Sequence, residues 1–63
     1  MEIYETTELT YSQMQDFCDA FDDEIGTDRE VTRADTDAYY IVCTDLFPAE
    51  IEVCQEIEQR VTV

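Results

Sequence analysis

Carboxylates are the reactive groups this chain holds in abundance. Seventeen Asp and Glu stand against three Arg, with no Lys and no His, for a formal net charge of -14. Paired carboxylates can act as general acid and base or hold a hard cation. Here they are so numerous that any fold brings some together, so a pair alone points to no reaction. Without His, the commonest general base is missing. Ser12, the only serine, falls in a helix-cap region, and Gly26, the only glycine, leaves no glycine-rich loop to cradle a phosphate. The reading is of a protein that is not an enzyme and uses no cofactor.

Metal chemistry fares no better. The calcium-loop spacing D-x-D-x-D-G-x5-E is absent, and Asp35-Thr36-Asp37 and Asp22-Asp23-Glu24 read as turn chemistry and a solvated helix end. Cys18, Cys43 and Cys54 form no CxxC pair, and a zinc site built on three thiolates would need a carboxylate as fourth ligand. The three are expected as small, reduced core residues, and no metal is expected. Tyr4, Tyr11, Tyr39 and Tyr40 offer rings for base stacking, but phosphate binding needs Lys and Arg, and three Arg are too few. Direct nucleic-acid binding is set aside, and the tyrosines read as core edges or interface anchors. No apolar run approaches the ~18 residues of a membrane span, and the acidic start MEIYETTE does not read as a secretory signal. A soluble cytoplasmic protein is expected, repelled by anionic membranes.

The elements that position these groups are legible from periodicity. The chain is short enough for one domain, residues 1–63. In Thr10 to Gly26, residues Met14, Phe17, Cys18, Phe21 and Ile25 recur at three- and four-residue steps, which predicts a helix. Thr10 or Ser12 can cap it, Thr10 with Gln13 fits a capping box, and Gly26 suits a left-handed stop. Met1 to Thr7 predicts a short strand with Ile3 inward and Tyr4 on the opposite face. Residues 27–44 predict a hairpin turning at Ala34 to Ala38. Its second strand, Tyr39 to Thr44, has Tyr39, Ile41 and Cys43 on one face and Tyr40, Val42 and Thr44 on the other. One of those faces should meet the helices. The other, with Tyr40 and Val42, is a candidate apolar interface, and a homodimer is one way to cover it. Pro48 then opens an element that Asp45 is placed to cap. Ile51, Cys54, Ile57 or Glu58, and Val61 follow helical steps, although residues 51–63 also alternate as a strand would. Proline, alanine and the Glu/Gln content favour the helix, with Val61 to Val63 as a candidate last strand. The expected fold is α+β, a small antiparallel sheet of about three strands in β-α-β-β-α order with two helices packed on one face.

Charge placement is the remaining signal. Residues 16–37 hold nine acidic and two basic residues. Asp22, Asp23 and Glu24 crowd the end of the first helix, where the macrodipole is already negative, and Asp19 and Asp23 are a like-charge pair. Each such placement costs a few tenths of a kcal/mol, up to ~1. The second helix adds Glu52 and Glu56, again like-charged neighbours. Carboxylates three or four residues apart rise ~4.5–6 Å along a helix, and a DNA strand carries a charge every ~3.4 Å. Asp16, Asp19, Asp22, Asp23, Glu24, Asp35, Asp37, Glu52 and Glu56 are therefore the candidate partner-binding residues.

This profile of size, charge and carboxylate-bearing helices resembles the small acidic DNA-mimic proteins of phages and mobile elements, anti-CRISPR inhibitors among them. The resemblance implies an inhibitor, acting in the cytoplasm of a host cell, that occupies the nucleic-acid site of a basic protein such as a CRISPR–Cas effector. The competing expectation is a salt-adapted or generic acidic interaction domain, in which carboxylates serve solubility alone.

Overall fold

The computed structural model describes residues 2–27, 30–34 and 38–63. Five elements follow in the order β1 (Glu2–Glu5), α1 (Tyr11–Glu24), β2 (Val31–Ala34), β3 (Tyr40–Leu46) and α2 (Pro48–Val61). The three strands form one antiparallel sheet in the order β1-β3-β2. The fold is the α+β arrangement expected from the sequence, with the most apolar strand at the centre. Residues Asp35 to Asp37, at the expected hairpin turn, lie outside the described residues. The register around them pairs Ala34 with Tyr40.

The core is the stripe that the sequence period marks. Met14, Phe17 and Phe21 of α1 meet Ile41, Cys43 and Leu46 of β3 and Cys54 and Ile57 of α2, with Leu9 closing one end. The Phe17 and Phe21 rings lie 6.2 Å apart and nearly parallel. Among the described residues Thr6 is the buried polar one. Its hydroxyl accepts from the Ile41 N–H at 3.0 Å and donates to the Thr7 carbonyl at 2.9 Å. A buried hydroxyl with both roles filled carries little desolvation penalty.

Helix α1 starts and stops as expected. The Thr10 hydroxyl accepts from the Gln13 N–H at 3.1 Å, and the Gln13 side chain accepts from the Thr10 N–H at 2.8 Å. Gly26 follows at φ 124°, a left-handed value that a Cβ would disfavour. Helix α2 settles the helix-or-strand question for residues 51–61 in favour of the helix, because Cys54 and Ile57 are buried and Ile51 and Val61 pack against the core at helical steps.

Three local expectations are corrected. Ile3 points outward, 67% exposed, and Tyr4 packs on the core. The cause lies in the pairing: Tyr4 sits opposite the core residue Cys43 and shares its face, which leaves Ile3 on the other, and because Glu2 sits opposite Leu46, β3 carries an extra residue beyond Cys43. The extra residue puts Asp45 at φ 58°, inside β3. Asp is among the few residue types that tolerate this region, so Asp45 shapes the bulge rather than capping α2. The N-cap of α2 is Phe47, held extended before Pro48, and its N–H donates to the Glu50 carboxylate at 2.8 Å. Last, Val61 to Val63 form no strand. The Thr62 N–H and hydroxyl both donate to the Glu58 carbonyl, at 3.1 and 2.7 Å, and finish the helix.

Candidate partner-binding surface

Each residue of an α-helix turns the chain by about 100°, which fixes where the acidic residues of α1 stand. Met14, Phe17 and Phe21 define the buried side. Asp16, Asp19 and Asp23 project from the opposite side, and all three are exposed. They form one crest about 10 Å long at 1.5 Å per residue. Asp22 lies on the flank, where it and Asp19 border a shallow groove of about 300 Å³ also lined by Cys18, Phe21, Val31 and Arg33. Glu24 is drawn into the protein's own structure, its carboxylate taking Arg60 Nη2 at 2.9 and 3.1 Å. That pair ties the end of α1 to the end of α2. On α2, Glu52 and Glu56 are exposed opposite buried Cys54 and Ile57, forming a second crest. Asp35 and Asp37 lie outside the described residues.

The two helices treat their macrodipoles differently. Helix α2 has Glu50 in its first turn and Arg60 in its last, as electrostatics favours. Helix α1 has no acidic residue in its first turn and no basic residue in its last, where Asp22, Asp23 and Glu24 gather. Among the described residues the ion pair that relieves this end is Arg60 with Glu24.

Glu58 is the functional-looking residue that sequence reasoning treated only as an alternative core step. Its carboxylate accepts from the Tyr4 hydroxyl, from the Thr7 N–H at 3.0 Å and from the Thr7 hydroxyl at 2.5 Å. Partial burial pushes the Glu58 carboxyl up, but the hydrogen bonds from Thr7 and Tyr4 outweigh it and hold the group below its ordinary value. Tyr4 is displaced the other way: burial first, then the bond to Glu58, raise its phenol well above the ordinary range. Neither group is poised to exchange a proton near neutral pH. The cluster fastens β1 and the start of α1 to α2. A signal existed in the sequence, since Glu58 lies at the border of the apolar stripe of α2, but its partners stand more than 50 positions away.

The cysteines are free. Cys43 and Cys54 are fully buried, and the hydrogen bond to Cys54 together with burial pushes the Cys43 thiol far above its ordinary value. Cys18 is half-buried on the groove, its thiol also raised by burial. Among the described residues no three His, Cys, Asp or Glu side chains are grouped to hold a metal ion, and no helix is long and apolar enough to cross a membrane. Tyr40 and Val42 are half-buried on the face of β3 turned away from the core residues Ile41 and Cys43.

In comparisons with protein-family models, curated proteins and solved structures, none matches this chain.

Proposed function

We propose that this protein is an acidic inhibitor that imitates a nucleic-acid strand and occupies the DNA- or RNA-binding site of a basic protein, a CRISPR–Cas effector being the target class that its resemblance to phage-borne mimics suggests. One observation carries the reading: α2 has Glu50 in its first turn and Arg60 beside Glu58 in its last, whereas α1 gathers Asp22, Asp23 and Glu24 in its last turn with no basic residue there. Acidic composition adopted for solubility alone has no reason to concentrate carboxylates at the unfavourable end of one helix. A surface selected to meet Lys and Arg does, because the cost of ~0.3–1 kcal/mol at each site is recovered when cations arrive. The Asp16, Asp19 and Asp23 crest stands clear of the core, so it can enter a channel shaped for a phosphate backbone.

The test is displacement of labelled duplex DNA from purified effector nucleases and other basic nucleic-acid-binding proteins, followed by fluorescence anisotropy. Polyglutamate of matched charge serves as the control. The proposal expects one target from which this chain displaces DNA at a concentration at least tenfold below that needed for polyglutamate. Displacement no better than polyglutamate across the whole panel would overturn it.

A further inference from the structure

The sheet has two faces and the helices cover one. Strand alternation and register place Tyr40, Val42 and Thr44 of β3 on the other face, flanked by Thr32 and Ala34 of β2 and by outward-turned Ile3 of β1. Its charge is unlike the rest of the molecule. The helices carry nine of the seventeen carboxylates. On the open face the carboxylates set by the register are Glu5, opposite Val42 on one edge strand, and Glu30, whose carbonyl accepts from the Thr44 N–H beyond the other. Between them Tyr40, Val42 and Thr44 form an uncharged strip that ends at Asp45, an exposed carboxylate at the bulge of β3.

We infer that this open sheet face is where a second copy of the chain docks, giving a face-to-face dimer with the acidic helices turned outward on both sides. This stands apart from the inhibitor reading and does not rest on it. A basic partner has little to grip on Tyr40, Val42 and Thr44, whose carboxylates stand only at the margins. A second copy meets Tyr40 and Val42 with its own Tyr40 and Val42, as an isologous contact requires. Charge does not forbid it. Stacked sheets pack ~10 Å apart, and each helix layer adds roughly another 10 Å. The crests of the two copies then stand several Debye lengths apart at physiological salt, where that length is ~8 Å. Size sets the strength. The molecule measures 28 × 22 × 17 Å, and a helix layer stacked on a sheet fits the shortest dimension, so the open face offers at most roughly 600 Å² per copy. Roughly 1,200 Å² for the pair is the lower edge of specific interfaces, which marks a weak, reversible dimer.

Salt gives the dimer a signature. Glu5, Glu30 and Asp45 bring like charges to its rim, so screening strengthens association, whereas binding to a basic partner weakens as salt rises. The experiment is sedimentation equilibrium of the whole chain from about 20 µM to about 1 mM, at 50 and 500 mM NaCl. The expected result is a monomer–dimer equilibrium that tightens several-fold at the higher salt. Tyr40→Glu should weaken it at least tenfold. Glu5→Gln, Glu30→Gln and Asp45→Asn together should tighten it at low salt and abolish most of the salt effect, and circular dichroism checks that each variant is folded. A single monomer mass at every concentration, a dimer indifferent to Tyr40→Glu while its fold is intact, or a dimer that dissociates with added salt would each overturn the inference.

Discussion

Replacing Glu58 with Gln isolates a place where this acidic chain uses a carboxylate to fasten β1 and the start of α1 to α2. The side chain keeps its size but loses its charge, and three donors lose a charged acceptor: the Tyr4 hydroxyl, the Thr7 N–H and the Thr7 hydroxyl. Hydrogen bonds to charged groups contribute ~1.5–3 kcal/mol each when buried. This carboxylate is only partly buried, so screening reduces the sum to about 2 kcal/mol. A chain of this length has roughly 3–9 kcal/mol of stability in all, and a loss of about 2 kcal/mol lowers Tm by roughly 8–16 °C. The matched control is Glu56→Gln, which removes a like-charge neighbour of Glu52 and should change stability by less than ~0.5 kcal/mol. Urea unfolding followed by circular dichroism measures both. Because the folded carboxyl titrates below its ordinary value of 4.5, the Glu58 contribution is complete above that pH and is lost as pH falls through the lower folded value. The gap between native protein and Glu58→Gln should therefore close in acid. Equal stability of the two Gln variants at pH 7, or a gap that widens toward pH 3, would refute the reasoning.

Three further outcomes are expected. Asp16→Asn, Asp19→Asn and Asp23→Asn together should stabilise the isolated chain, by a few tenths of a kcal/mol per site in urea unfolding; a clear loss of stability would show these side chains to be structural. Of the three thiols, half-buried Cys18 should react first with a thiol reagent, while Cys43 and Cys54 should react only as fast as the protein unfolds; simultaneous labelling of all three in native buffer would contradict the packing. Rising KCl should raise the unfolding temperature up to a few hundred millimolar and then level off, as screening saturates; a steep climb continuing into molar KCl would instead mark a salt-adapted protein.

The parts of this fold that were legible in the sequence are those where the signal is local. Met14, Phe17 and Phe21 announce their buried face by spacing alone, and Thr10 with Gln13 and Gly26 mark the ends of α1 through side-chain chemistry within a turn. Pairing across the sheet is not local. The pairing of Tyr4 with Cys43 decides the faces of Ile3 and Tyr4, and no pattern within residues 2–5 reports which residues of β3 they will meet. Glu58 is hidden for the same reason. In a chain with seventeen carboxylates, nothing in sequence marks the one that receives three hydrogen bonds. The Glu24 ion pair likewise depends on how the two helix ends meet. The α1 crest was legible because helical period and burial are enough to define it.

The charge crest of α1 is the centre of this account, and one comparison bears on it most directly. The displacement of labelled DNA from the responding target is measured for the native chain and for the variant with Asn at positions 16, 19 and 23, at 50 and 300 mM salt. The account predicts that the native chain loses at least tenfold in potency between the two salt concentrations and that the variant, still folded, loses most of its potency at both. A folded variant that displaces DNA as well as the native chain would contradict it.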